Sequence, residues 1–340
     1  MNNNDLKEDL SIYPWQQPVL EQLAAAAAGD RLGHGWLIHG PPGLGVVRLC
    51  RVLAAALSDG LPPTDWARRI PATAGAEPLE VAARPDVQVL APDGTRRTIG
   101  VDQVRAMSAD LAMTSHGGGA RAVIIDRADQ LTVAAANSLL KTLEEPPAGA
   151  HLLLASHEPG RLPATVRSRC QRLTVRRPGD ADAQAWLARS DGHRDWTLAL
   201  ALADGCPLRA VALAAAGVDT ADPARCETLA AVLAGRSGAD TLVAEPLRGD
   251  AAEFLEWLQG RLEAILQARA GDAQPPGDHD AFRALCHSVA GASDRALFRL
   301  RDRVMALRRL TDGGVNLALS LEALLNSWNR SSRSGANLAT

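Results

Sequence analysis

The sequence predicts an α/β fold with a parallel sheet in its first half, followed by an all-helical second half. Up to about residue 175, short apolar runs of strand type alternate with stretches whose apolar residues recur at helical spacing. Beyond that point the strand signals stop and only helical patterns follow. Alternating strands and helices favour a parallel sheet with helices on both faces.

Five strands and three long helices are predicted in the first half. The strands are GWLIHG (35–40), DVQVLA (86–91), RAVIID (121–126), AHLLLAS (150–156) and CQRLTV (170–175). The helices are VVRLCRVLAAAL (46–57), VDQVRAMSADLAM (101–113) and VAAANSLLKTLEE (133–145), the last stopped by two prolines. The proline-rich segment 61–78 is predicted to be an irregular insert.

The second half is predicted to contain short helices over 180–213 and long helices beyond about residue 223. Two apolar stripes support the long helices: Leu297, Leu300, Val304, Leu307 and Leu310 in one, and Leu317, Leu321, Leu324 and Trp328 in the other. A loop is expected over 268–280. The polar segment 329–340 is predicted to be a disordered tail.

Composition excludes several classes of protein. A length of 340 residues indicates two or three domains, and a net charge of −3 argues against a surface that is basic all over, as nucleic-acid binding would favour. The five cysteines are scattered without a C-x-x-C pair, so we expect reduced thiols and no bound metal: Cys50, Cys170, Cys206, Cys226 and Cys286. The polar N-terminus is unlike a signal peptide, and no apolar run approaches 18 residues. We therefore expect a cytoplasmic protein without a membrane span.

The stretch GPPGLGVVR (40–48) begins like a phosphate-binding loop and then departs from it. Such a loop reads G-x-x-x-x-G-K-[ST], and here Gly40 and Gly45 occupy the outer glycine positions, with Gly43 between them. The lysine position is Val46 and the hydroxyl position is Val47. Without them, nothing neutralises the β- and γ-phosphates and a magnesium ligand is missing. A plain strand-to-helix turn is the alternative reading of the glycines.

A second departure lies at the end of the strand 121–126. Asp126 resembles the magnesium-linked aspartate of P-loop ATPases, but the next position, where a water-activating glutamate belongs, is Arg127; Asp129 completes this degenerate acidic motif. Two independent losses at the sites of one reaction indicate that the chain does not hydrolyse ATP itself.

Two further stretches carry unusual charges. Glu144 and Glu145 end the helix 133–145, where the macrodipole disfavours negative charge, so this end is either a functional surface or merely solvated. Arg167 and Arg169 flank Ser168 just before the last strand. Only two of the 36 basic residues are lysines, so two neighbouring arginines are weak evidence by themselves.

Together these stretches resemble the AAA+ clamp-loader family, over residues 13–175. The similarity runs from YPWQQPVLEQL (13–23) through IGVDQVRAM (99–107) and NSLLKTLEEPP (137–147) to VRSRCQ (166–171). The resemblance implies an AAA+ P-loop-like domain over 1–177, a small helical lid over 178–222, and an all-α collar that drives oligomerisation over 223–328. Beyond residue 175 only helical character and length agree with the family.

The resemblance also implies a role for the S-R-C tripeptide, which is Ser168, Arg169 and Cys170 here. In this family its arginine reaches the ATP of a neighbouring subunit as an arginine finger. The implied function is a non-hydrolysing subunit of the DNA polymerase III holoenzyme that helps to load the sliding clamp onto primed DNA. The implied partners are the ATPase subunits, the delta subunit, the sliding clamp and, through the complex, primer-template DNA; no cofactor is expected on this chain.

Departures from the family and one alternative accompany this interpretation. Many members carry a four-cysteine zinc module after the first helix, but segment 51–85 has no cysteine, so no zinc is expected. Arg209 falls one place late for the lid arginine that senses nucleotide, and Ser156 occupies the place of the first sensor. The alternative function is an active P-loop ATPase or nucleotide kinase with an atypical loop, against which Val46 and Val47 argue.

Overall fold

The computed structural model describes residues 12–29, 32–66, 85–93, 97–112, 120–189, 191–243, 251–271, 280–309 and 316–336, and omits the side chains of 251, 252, 309, 317, 318 and 329–336. Most of the predicted insert 61–78 and of the predicted loop 268–280 lies outside these ranges. The chain divides into two compact units. One comprises Met1–Arg194 and Gly205–Arg209, and the other comprises Asp195–Asp204 and Ala210–Thr340.

The first unit contains a five-stranded sheet in which every pairing is parallel, as the sequence predicts. Its strands are β1 (Gly35–His39), β2 (Val87–Leu90), β3 (Arg121–Ile125), β4 (Ala150–Ser156) and β5 (Gln171–Thr174). Their order is β2-β3-β4-β1-β5, so β1 lies between β4 and β5. The central strands read as nearly continuous apolar runs because both faces of a parallel sheet are covered.

The helices of the first unit follow the predicted alternation with the strands. They are α1 (Gln17–Ala28), α2 (Val46–Ser58), α3 (Pro63–Trp66), α4 (Val101–Leu111), α5 (Val133–Glu144), α6 (Ala164–Arg167) and α7 (Asp180–Ala188), with 3₁₀ turns at Pro14–Gln16, Ala128–Gln130 and Pro159–Arg161. Thr132 caps α5 by accepting a hydrogen bond from the Ala135 N–H through its side chain. The helix ends before Pro146, as predicted.

The second unit is helical in its described residues. Its helices are α8 (Thr197–Leu202), α10 (Val218–Leu233), α11 (Ala239–Val243), α12 (Ala251–Ala270), α13 (Asp280–Ser288), α14 (Asp294–Arg309) and α15 (Leu317–Ala336), while α9 (Pro207–Ala215) begins in the first unit and continues in the second. The described members of both predicted stripes face its core: Leu297, Leu300, Val304, Leu321, Leu324 and Trp328 are buried, and Leu307 is partly buried against them.

Two boundaries in the second half differ from the sequence prediction. Helix α15 continues to Ala336, so residues 329–336 are helical where a disordered tail was expected. No proline interrupts that segment, so every backbone N–H is available to continue the helix. Helix α10 begins at Val218, five residues before the expected start, and contains Pro223. The division of this half into lid and collar stays a prediction.

The core of the second unit contains a buried ion pair. The Arg261 Nε lies 3.7 Å from the Asp222 Oδ1, and the two side chains are 3% and 0% exposed. Trp257 donates its indole N–H to the same carboxylate at 2.5 Å. Cys226 contacts the other oxygen of Asp222, and burial followed by that carboxylate raises the pKa of the thiol. Because Asp222 accepts from Trp257 and Cys226 and lies beside the Arg261 cation, its charge stays compensated inside an apolar core.

Candidate functional site

The degenerate phosphate-binding loop lies at the carboxyl edge of the sheet, between β1 and α2. In open parallel sheets, ligands bind at this edge where the connections from adjacent strands run to opposite sides. Strand β1 is at such a point, because β2 lies on one side of it and β5 on the other. The pairing of His39 with Ser156 brings the start of the loop beside the end of β4. Consequently the predicted loop and the predicted sensor position do come together.

Two glycines of the loop adopt left-handed backbone conformations that other residues disfavour. Gly43 has φ +87° and Gly45 has φ +70°. A Cβ at Gly43 would lie 2.6 Å from the Cβ and 2.7 Å from the backbone N of Arg209, and the Leu208 N–H donates to the Gly43 carbonyl at 3.2 Å. The start of α9 therefore packs directly on the loop. The structure leaves untested whether Arg209 senses a nucleotide.

An aromatic cluster holds the other side of the loop. Trp15 donates its indole N–H to the Leu44 carbonyl at 3.0 Å, and the Gln16 side-chain amide donates to the same carbonyl at 2.8 Å and to that of Gly45 at 2.7 Å. The ring of Tyr13 stacks on Trp15 with 5.0 Å between centroids. Its edge lies 2.6 Å from the place of a Cβ on Gly45.

The position of the missing lysine is part of the core. Val46, the first residue of α2, is 1% exposed, whereas Val47 is partly exposed. Leu44, just before it in the loop, has no exposed surface. The position at which a phosphate-binding loop carries its lysine is therefore a buried apolar residue in this chain.

The degenerate acidic motif follows β3 at the same edge of the sheet. Burial first, and then the nearby carboxylate of Asp126, raise the pKa of Cys50 on α2, so Asp126 lies close to that thiol. Arg127 is exposed and has φ +56°, an unfavourable conformation for a residue with a side chain. A cation therefore takes the place at which a water-activating carboxylate is expected.

Asp129 connects the acidic motif to the sensor position and to the loop. It accepts hydrogen bonds from the Ser156 hydroxyl at 2.9 Å and from the His157 N–H at 3.0 Å. Burial alone would raise the pKa of Asp129, but these hydrogen bonds lower it below its ordinary value. The His157 Nδ1 lies 3.0 Å from the Gly40 carbonyl. This network engages the hydroxyl of Ser156 within the chain.

Arg169 lies at the opposite, amino edge of the sheet. It lies two residues before the start of β5, and its carbonyl oxygen lies 3.4 Å from the place of a Cβ on Gly35, the first residue of β1. The loop begins after His39, four residues further along β1. At about 3.3 Å per residue, the strand alone separates the two features by roughly 13 Å.

The Arg169 guanidinium contacts two neighbouring segments. Its Nε donates to the Glu144 Oε1 at 2.7 Å, and its Nη2 lies 2.5 Å from the same oxygen. Its Nη1 donates to the Thr165 carbonyl at 3.0 Å. The Arg169 side chain is 37% exposed and that of Glu144 is 49% exposed. The charge at the end of α5, unexplained by helix preferences, thus contacts the predicted finger.

The other residues of the tripeptide and its neighbour have local roles. The Ser168 hydroxyl donates to the Thr165 carbonyl at 3.0 Å. Cys170 is buried, and burial raises the pKa of its thiol to about 11, so the thiol is protonated and unreactive at neutral pH. Arg167 is partly buried, with its Nε enclosed. The Arg169 guanidinium is therefore more exposed than the Arg167 guanidinium or the Cys170 thiol.

Other classes of site receive little support within the described ranges. There, no cluster of three or more histidine, cysteine, aspartate or glutamate side chains could hold a metal ion. Among those same residues no helix is long and apolar enough to cross a membrane. The expected absence of zinc stays a prediction, because segment 67–84 lies outside them.

Sequence reasoning missed most of the residues that hold the site in place. It identified the loop, the acidic motif and Arg169, but it did not anticipate the bonds from Trp15 and Gln16 to the loop, or the network through Asp129. No local pattern marks these contacts because they join distant segments. Glu144 was signalled in advance by the unfavourable position of its charge at a helix C-terminus.

The fold and the site define the class of the protein. A parallel sheet with a glycine loop after a central strand, an acidic residue after the strand two places away and a polar residue ending the strand between them is the AAA+ type of P-loop ATPase domain. The family model described as "DNA polymerase III, delta subunit" matches residues 15–178.

Individual relatives agree over nearly the whole chain. The DNA polymerase III subunit delta' of Pseudomonas aeruginosa is 32% identical over 93% of this chain and 97% of its own length. That of Escherichia coli is 35% identical over 77% of this chain and 78% of its own length. A solved gamma subunit-related protein from Thermotoga maritima is 19% identical over 93% of this chain and 99% of its own, with a TM-score of 0.45. The chain belongs to the family of DNA polymerase III delta-prime subunits.

Proposed function

We propose that this chain is a non-hydrolysing subunit of the clamp loader of the replicative DNA polymerase III. In this proposal it supplies Arg169 to ATP held by a neighbouring ATPase subunit and so helps to load the sliding clamp onto primed DNA. Membership of the delta-prime family supports a role within the clamp loader, which in this proposal acts in the cytoplasm. The geometry of the chain supports the proposal that Arg169 serves a neighbour's ATP site while this chain hydrolyses no ATP itself.

The observation that carries the proposal is the separation between Arg169 and the loop of the same chain. The guanidinium is exposed at the amino edge of the sheet, whereas the loop lies at the carboxyl edge, roughly 13 Å or more away. An arginine side chain cannot span that distance across a packed sheet. A phosphate that Arg169 contacts must therefore belong to another molecule.

Two features at the carboxyl edge of the sheet support the absence of hydrolysis by this chain. The lysine position is a buried valine, and the position of the water-activating carboxylate is an exposed arginine. Phosphoryl transfer depends on cations that neutralise the γ-phosphate and on a group that orients the nucleophile. This chain offers neither at its own loop, while Arg169 offers a planar pair of donors for a neighbour's phosphate.

The test is the Arg169→Ala variant, assembled with the partner ATPase subunits. Arginine fingers contribute on the order of 10³–10⁵ to turnover at the site that they serve. We expect assembly to be normal, hydrolysis at the one adjacent site to fall by that order, and clamp loading onto primed DNA to fall with it. Arg169→Lys keeps the charge without the fork and is expected to restore little.

Arg167→Ala is the matched control, since it removes an arginine from the same segment two residues away. Its guanidinium is partly buried, so we expect it to change hydrolysis far less than Arg169→Ala. Normal ATP hydrolysis and clamp loading with Arg169→Ala would refute the trans-acting role. Calorimetric titration of the isolated chain with Mg-ATP tests the prediction that this chain does not itself bind ATP, and a micromolar dissociation constant would refute that prediction.

A further inference from the structure

The contact between Glu144 and Arg169 joins segments that are 25 residues apart. A single carboxylate oxygen, Oε1, lies against the Nε and Nη2 of the guanidinium at 2.7 and 2.5 Å. The bond from Nε is a charge-assisted hydrogen bond, and such bonds are stronger than neutral ones. The contact therefore restricts the rotation of an otherwise flexible side chain.

The donors of the guanidinium show what this arrangement leaves available. Arginine has five N–H donors, one on Nε and two on each terminal nitrogen. Glu144 accepts one from Nε and its Oε1 lies 2.5 Å from Nη2 as an ion pair, and the Thr165 carbonyl accepts one from Nη1. At least one N–H on each terminal nitrogen is left. Two N–H groups on two nitrogens are what a guanidinium uses to bind a pair of phosphate oxygens.

The place of Glu144 is itself held by the fold. The preceding carbonyl, that of Leu143, lies 2.7 Å from the His34 Nε2, just before β1. The side chain of Leu143 lies 3.0 Å from the place of a Cβ on Gly35. A carboxylate at a helix C-terminus is unfavourable by itself, and Glu144 gains a cationic partner there. The adjacent Glu145 is exposed and has no side-chain partner within the described part of the chain.

We propose that Glu144 is a positioning residue for the Arg169 finger: its carboxylate fixes the guanidinium before the neighbouring subunit's ATP is engaged and leaves at least one donor on each terminal nitrogen for the γ-phosphate. The inference rests on the proposed function of Arg169. Glu144 does not contact the phosphate in this arrangement and acts only through the arginine. Both side chains are partly exposed, so solvent screens the carboxylate charge and limits its repulsion of a phosphate.

The experiment uses the full chain assembled with its partner ATPase subunits, with ATP as the probe and single-turnover hydrolysis as the measurement. The variants are Glu144→Ala, Glu144→Gln, Arg169→Ala and the double Glu144→Ala/Arg169→Ala. Glu145→Ala is the matched control, since it removes the same charge from the same helix end. We expect Glu144→Ala to lower the rate roughly three- to tenfold, less than the about 10²-fold that displacing a reacting group can cost.

Three comparisons separate positioning from other roles. Glu144→Gln should recover most of the rate, because its amide oxygen accepts the same N–H groups, and Glu145→Ala should match the wild type. The double variant should be as slow as Arg169→Ala alone, because Glu144 acts through that arginine. A rate for Glu144→Ala equal to or faster than wild type would overturn the inference, and so would its full effect persisting without Arg169. Wild-type rates for Arg169→Ala would instead overturn the proposed function.

Discussion

Introducing the two residues that the loop lacks is the most direct test of the proposal that this chain has no working nucleotide site of its own. The double variant Val46→Lys/Val47→Thr recreates the G-x-x-x-x-G-K-T pattern. If the loop had lost only its chemistry, this variant would bind Mg-ATP. The structure predicts that it will not, and that it will be less stable than the wild type.

The expected loss of stability follows from the packing around Val46. Its side chain is 1% exposed, and burying a valine contributes about 1.5–3 kcal/mol. A longer side chain at a packed position costs a further 1–3 kcal/mol or so in strain. An ammonium group must in addition reach solvent or lose its hydration. We therefore expect the free energy of unfolding to fall by about 3–5 kcal/mol, nearly all of it from the lysine.

Urea unfolding and calorimetric titration with Mg-ATP check the two halves of this prediction. Val47→Thr alone is the control, because that side chain is partly exposed and should cost less than about 1 kcal/mol. A double variant that binds Mg-ATP with a micromolar dissociation constant would refute the reasoning. Unchanged stability of the lysine variant would show that the space around Val46 is open.

Three further predictions concern stability, each measured by urea unfolding. Asp222→Ala should cost about 3–5 kcal/mol, because it leaves the buried Arg261 without its carboxylate, whereas Asp222→Leu/Arg261→Met should cost far less. Burial keeps the pKa of His151 below its ordinary value, so on lowering the pH the unfolded chain binds a proton before the folded chain does. The contribution of His151 to the free energy of unfolding is therefore complete above about pH 6.5 and is lost as the pH drops below that value. The loss should be smaller in His151→Gln. Arg127→Gly should add about 0.5–1 kcal/mol by relieving its positive φ, and an equal or lower stability would contradict this.

The sheet was predictable because parallel strands buried on both faces have a strong local signal. All five strands and the helices beginning at Val46, Val101 and Val133 lie where apolar spacing places them. The predicted tail over 329–340 differs from the structure, in which α15 continues to Ala336. A polar segment carries no signal that distinguishes a helical extension from a disordered tail. Local spacing also says nothing of the ion pair in the second unit, since Asp222 and Arg261 meet only after the helices pack.

The candidate site divides in the same way. A residue that replaces a functional one within a motif can be recognised from that one position. Val46 and Arg127 were identified from the sequence in this way. The contacts that these side chains make within the chain join distant segments, as Ser156 does with Asp129, and only the structure reveals them. Glu144 is an intermediate case. Its conflict with the helix dipole indicated a partner, but the sequence did not identify Arg169 as that partner.

The retention of the glycines in a loop that has lost its lysine has a packing explanation. Gly43 and Gly45 have positive φ angles, and each faces an atom that a Cβ would strike: the Cβ of Arg209 and the ring of Tyr13, both at 2.6 Å. Contacts under 3.0 Å would force one side to move, and neither the start of a helix nor a stacked aromatic ring moves cheaply. The glycines are therefore needed by the fold even where no phosphate binds. In a phosphate-binding loop the lysine and the Ser/Thr contact the nucleotide, whereas the glycines here are also required by the packing. A loop that no longer binds a nucleotide is therefore expected to keep its glycines and to lack the lysine and the Ser/Thr, as this one does.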